Sequence, residues 1–280
     1  MMLFQRLIWS GLAAAVLVGS VQTAVQHWQA TPIIQAAERY ESPQAMAPAA
    51  AATGDAVTDP AHALADGHPV AHDHASPDAT PAWQPADGAE RIFWTWVANL
   101  LHAFSMALLV LAAMGACLWR GTPMRSARLA ALVAAAGWLC FHFWPSLGLP
   151  AEIPGMDAAR LGSRQGWWAL AAASAALACG AVAGLRGAWR WPAAAALLAL
   201  PFAVGAPQIG ADPFAAFGVE AQMALRALEM RFVLVTAWIS VSFWVSMAVV
   251  CGFAFERWLR PVLADGFAHA RATSAWELKP

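Results

Sequence analysis

The sequence predicts an all-α, polytopic integral membrane protein with about six transmembrane helices and both termini cytoplasmic. Three observations carry this. Of 280 residues, 60% are hydrophobic and only 12% charged, whereas soluble domains are about 45–50% apolar. The apolar residues form runs that meet the roughly 20 residues needed to cross a bilayer, at 7–26, 92–118, 128–148, 166–185, 191–209 and 232–255. Of the 16 Trp, those at 9, 28, 94, 96, 119, 144, 167, 168, 189, 191 and 258 fall near run ends, where indoles anchor among headgroups. Nothing else is large enough for a second core, so residues 1–280 form a single membrane domain.

The first run follows Arg6 and stays apolar from Leu7 to Val25 without a clear A-x-A cleavage site. A secretory signal has an apolar region of about 7–15 residues, so this run reads as a retained span. Residues 42–90 are dominated by Ala, Pro, Asp and Gly, bury too little to offset their ordering entropy, and read as a disordered extracytoplasmic loop. Four of the eight histidines lie there, His62, His68, His72 and His74, with Asp66, Asp73 and Asp78 beside them.

The second run carries His102 with Met106 one turn on, and the third carries His142 near its outer end. Ionisable residues inside a membrane are functional candidates by default. Along the fourth, Ala172, Ala176, Gly180 and Gly184 make a smooth face for a close neighbour. Pro201 interrupts the fifth; it either exposes a carbonyl as a ligand or is a kink satisfied by neighbours. In the sixth, Thr236, Ser240 and Met247 share one side, and with His102 they outline an entry path or simply bond at helix contacts. Cys117, Cys140, Cys179 and Cys251 each stand alone in apolar runs, with no C-x-x-C pair.

With the N-terminus inside, ten basic residues and three acidic ones lie on the cytoplasmic side, against six basic and fourteen acidic outside. That asymmetry follows the positive-inside rule and places the histidine loop outside. Imidazole and carboxylate donors suit divalent first-row metals. No thiolate closes a tetrahedral site, and Pro69 opposes a helix aligning His68 with His72. The loop reads as a weak metal-capturing segment, against the plainer reading of an acidic tether with incidental histidines. Glu38, Glu41 and Glu152 add carboxylates at the outer face, so the metal candidates are His62, His68, His72, His74, Asp73, Glu38, Glu41, Glu152 and His102. No phosphate-binding G-x-x-x-x-G-K-[ST] loop and no catalytic constellation are present. The chain therefore reads as no enzyme, with no cofactor beyond a transported or captured metal and no nucleic-acid partner.

The most patterned segment is GLPAEIPGMDAARLGSRQGWW, Gly148 to Trp168. Pro150, Pro154 and Gly155 impose a turn, Asp157 is placed to cap a short helix, and Arg160 and Arg164 share that helix's side, available to acidic groups or headgroups. Leu149, Pro150, Glu152, Pro154 and Gly155, followed by Leu161, Arg164, Gln165, Trp167 and Trp168, resemble the L-P-x-E-x-P-G turn and L-x-x-R-Q-x-W-W span entry of CbtA-type subunits of probable bacterial cobalt transporters. AAERYE at Ala36 to Glu41 and LPFAVGAP at Leu200 to Pro207 are similar to further segments of that family. The resemblance implies an inner-membrane subunit for cobalt uptake linked to cobalamin synthesis, working with a small single-span, His-bearing CbtB-type partner. One departure is Phe202, which stands where the family's motif commonly reads L-P-H-x-x-G-A-P, with histidine. Ligand chemistry alone does not select cobalt, since nickel and copper bind comparable sites more tightly. The rival reading is a non-transporting membrane scaffold or metal-sensing assembly factor.

Overall fold

A computed structural model describes residues 2–41, 83 and 85–266, and every described element is helical. In order these are α1 (Met2–Gln29), α2 (Thr31–Glu41), α3 (Ala89–Trp119), α4 (Ser126–Trp138), α5 (Leu161–Gly184), α6 (Arg190–Val204) and α7 (Val219–Ala254). α4 continues through a π-helical turn, Leu139–Phe143, and a last α turn, Trp144–Ser146; α7 passes through a second π turn, Phe255–Leu259. Helices satisfy their own backbone groups, as a chain this apolar must do in lipid.

Among the described residues, five helical stretches are long and apolar enough to cross a membrane: Leu3–Gln29, Ala89–Trp119, Ser126–Ser146, Leu161–Gly184 and Val219–Gly266. The protein is thus an all-helical, multi-pass membrane protein. The expected span at 191–209 is the exception. α6 has 15 residues, about 22 Å against a hydrocarbon core of about 30 Å. It stops where Gly205 takes φ 88°, a left-handed turn that other residues resist.

α1 lies along α3 and α7, α4 lies along α7, and α5 pairs with α6 beside the π turn of α4. The main core is Ala14, Val18, Ala107, Leu111, Met114, Ala130, Phe243, Trp244, Met247 and Phe255, with their neighbours on α1, α3, α4 and α7. Small residues set the spacing. A Cβ on Gly19 would meet the backbone of Leu100 at 3.1 Å, so α1 and α3 touch main chain to main chain there. Arg6 donates to the carbonyl of Trp258 at 3.2 Å, which places the start of α1 and the end of α7 at one end of the bundle. We call that end inner and the opposite end outer, following the charge asymmetry.

The outer end carries a small apolar cap. α2 turns Ile33, Ala37 and Tyr40 to one side, and Ala37 and Tyr40 pack with Ile153, Phe214, Phe217 and Leu225. α7 has 36 residues, about 54 Å, so its first turns rise past a hydrocarbon core and support this cap.

Several local expectations change. α3 begins at Ala89, inside the segment expected to be loop to residue 90. Asp157 does not cap a helix: its N–H donates to Pro213 at 2.9 Å, and α5 starts at Leu161 after Arg160. Trp144 and Trp167 are not headgroup anchors. Their indole N–H groups donate to the carbonyls of Leu198 and Pro201, at 3.1 and 3.0 Å, so the neighbourhood of the Pro201 kink is satisfied by α4 and α5. On the fourth run, Ala172 is buried while Ala176 and Gly180 face outward, so only part of that smooth face is used within the described chain.

Candidate functional site

The outer halves of α1, α3 and α7 diverge beneath α2 and leave a cavity of about 320 Å³. Its polar lining comes chiefly from Thr23, Gln26 and His27 of α1, Arg91 and Thr95 of α3, and Thr236 of α7. A buried amide holds the wall between α1 and α3: Asn99 Nδ2 donates to Thr23 Oγ1 at 3.0 Å and to Gln26 Oε1 at 2.7 Å. Thr23 in turn donates to Gly19 O at 2.9 Å. Such amide and hydroxyl networks fix a helix pair that has no hydrophobic drive to associate in lipid.

Arg91 stands at the mouth. Its guanidinium binds Glu38 of α2 through two nitrogens and Asp87 at 2.9 Å. The helical cap is thereby tied to the start of α3. Glu38, expected as a metal-binding carboxylate at the outer face, is half-buried and paired with Arg91. Because both partners keep about a third of their side-chain surface, the pair is worth about 1 kcal/mol or less. Arg91→Gln is expected to lower the metal concentration for half-maximal uptake by up to about fivefold, matching that energy, and Glu38→Gln to raise it. Uptake titrations in cells making equal amounts of each variant measure both.

From the mouth of the cavity downward, Arg91, Thr95, His102 and Met106 follow one another on α3 at spacings of four, seven and four, which keeps them on one face. Thr236, Ser240, Phe243 and Met247 do the same on α7. The two lines meet where the His102 ring lies 5.0 Å from that of Phe243, tilted by 35°. His142 lies on the π turn of α4, next to Phe141, which stacks on Trp244 at 6.4 Å. The rings of Phe243, Trp244 and Phe141 thus link His102 to the turn that carries His142, forty residues further along the sequence. Ser240 accepts the Trp138 indole N–H at 3.1 Å and donates to Ala237 O at 2.7 Å. Deeper in, Ala103, Ala107, Leu111, Met114 and Met247 are at most 1% exposed, and Cys251 Sγ donates to Met247 Sδ at 3.3 Å. The cavity reaches about the level of Thr95 and Ile239, and the bundle is packed shut further in.

Glu152 pairs with Arg164, so the patterned turn and the start of α5 are joined by an ion pair that their sequence motif already contained. Glu41 is exposed beside Gly155, whose φ of 84° explains the glycine of that turn. His62, His68, His72, His74 and Asp73 lie outside the described residues. Among the described residues, no three His, Cys, Asp or Glu side chains gather as a metal cluster. Phe202 packs edge-on against Trp144 and Trp167, at 5.5 and 5.8 Å, and does not line the cavity. Sequence reasoning missed Arg91, Gln26, His27 and Asn99. The four-residue step from Asp87 to Arg91 was a legible signal, whereas the Asn99 bonds to α1 had none.

A multi-pass helical bundle, with a largely apolar outer cavity that carries a few hydroxyl, amide and charged groups and with a histidine further along one of the same helices, has the architecture of a membrane transport component. The chain belongs to the CbtA family, described as a probable cobalt transporter subunit, whose family model matches residues 4–256. No curated protein and no solved structure matches it.

Proposed function

We propose that this chain is the inner-membrane subunit of a divalent-metal uptake system, with cobalt as its cargo and cobalamin synthesis as the use of that cargo. The observation that carries this is the outer cavity ending one to two turns above His102, with His142 and the hydroxyls of Thr236 and Ser240 on the adjoining helices. CbtA membership supports a metal-transport role and, through the word subunit, a partner; a small single-span, His-bearing CbtB-type protein is the partner we infer.

In this reading the ion enters past Arg91 and Glu38, sheds part of its water among Thr and Gln oxygens, and is passed to imidazole. Two histidines and scattered hydroxyls are a sparse donor set, suited to passing an ion on rather than storing it. Packed Ala107, Leu111 and Met247 must separate before release inward. The energy comes from the partner, an ion gradient or the membrane potential, the last worth about 2.3 kcal/mol per charge per 100 mV. The function is non-enzymatic.

The test is uptake of cobalt, nickel and zinc by cells expressing the chain with its partner. Uptake equal to the empty control for all three metals removes the transport reading in favour of a scaffold or assembly factor. The outer loop acts as an antenna: replacing His62, His68, His72 and His74 together with serine is expected to raise the metal concentration needed for uptake while leaving the saturated rate unchanged. Loss of the saturated rate would place the loop in the passage itself.

A further inference from the structure

We propose that the furrow between α4 and α7 at the inner end is a binding site for an anionic phospholipid. The furrow has a volume of about 650 Å³, and Arg125, Ser126, Glu256 and Arg260 line one end of it. The rest is apolar. Ala127 and Ala131 on α4 face Ala248 and Gly252 on α7, and each pair is one turn apart, so two smooth helix faces leave a channel parallel to the helices. A Cβ on Gly252 would press the Cβ of Ala130 at 3.1 Å, which is why the helices close behind the furrow.

Charge selects the occupant. Glu256 is already compensated: it accepts the Ser126 hydroxyl and Arg260 Nη1, the latter at 2.8 Å. Arg125 has no ion-pair partner among the described residues. Two arginines against one carboxylate leave net positive charge where a headgroup would sit, the arrangement by which basic pockets between membrane helices hold anionic lipids. From Ala248 to Glu256 the furrow extends about 12 Å, which accommodates the upper part of an acyl chain but is too short to seat a membrane-crossing helix of about 30 Å.

The experiment uses the full chain in nanodiscs made from equal parts phosphatidylcholine and phosphatidylglycerol, with retained lipids counted by native mass spectrometry. Phosphatidylglycerol is expected to be retained over phosphatidylcholine, and Arg125→Gln to reduce that preference about fivefold, the effect of one basic residue near a membrane surface. The Arg125 side chain makes no bond that the fold requires, and its carbonyl bond to Leu129 N–H is kept in the glutamine variant, so this variant keeps its structure. Equal retention of the two lipids, or an unchanged preference in Arg125→Gln, would overturn the proposal. A photo-reactive phenylalanine analogue in place of Ala131 is expected to yield a phospholipid adduct in cell membranes; an adduct with a polypeptide would assign the furrow to a protein partner instead. Neither readout depends on metal transport.

Discussion

Gly137→Ala is expected to destabilise the bundle by about 1–3 kcal/mol, the usual cost of inserting an atom into a packed core. A Cβ at this position would lie closer than 3 Å to the Trp244 ring, and the ring has nowhere to go. Trp244 is 6% exposed, stacks on Phe141 at 6.4 Å and meets Phe243 edge-on at 5.5 Å. Its displacement therefore reaches Phe243, and Phe243 carries the His102 ring. Loss of stability should come with loss of uptake. Trp244→Phe removes the offending part of the ring, so the double variant should recover stability beyond the sum of the singles; a purely additive result in thermal unfolding would show that contact to be slack.

The bilayer explains what could be read in advance. It demands long apolar runs with internally bonded backbone, and the runs containing Leu7, Ala103, Leu129, Ala172 and Met247 all became helices where expected. The run after Trp191 misled because apolarity continues past Gly205 while the backbone turns there. α2 was hidden for the opposite reason: its 11 residues are too few and too polar to resemble a span, and its apolar side finds Ile153 and Phe217 only once the loops have folded.

At the candidate site the same division holds. His102 stood out because an ionisable group inside a membrane is costly, but the Phe243 ring beside it is more than a hundred residues away in sequence. Glu38 was legible as a carboxylate and not as a paired one, because Arg91 lies 53 residues on. Trp144 and Trp167 resembled interfacial anchors since an indole at a span end has that default; the carbonyls that actually bind them, Leu198 and Pro201, belong to a helix whose position no local pattern encodes.

His102→Ala is expected to reduce metal uptake at limiting concentration by about 10- to 100-fold. Even groups that only orient a metal ligand cost that much when removed, and His102 is proposed as a ligand itself. The substitution should leave the fold intact, because the His102 side chain is an exposed one on α3 and its tilted ring contact with Phe243 is a modest one. His142→Ala tests the partnership: if the two imidazoles serve one ion in turn, the double variant should be little worse than His102→Ala alone, since either loss breaks the same passage. Independent, multiplying defects would mean two separate roles. Phe243→Leu supplies the structural control. It removes the ring that positions His102 while keeping the ligand, so it should raise the half-saturating metal concentration far less than His102→Ala. Wild-type uptake by His102→Ala at equal membrane abundance would move the passage away from the α3–α7 seam.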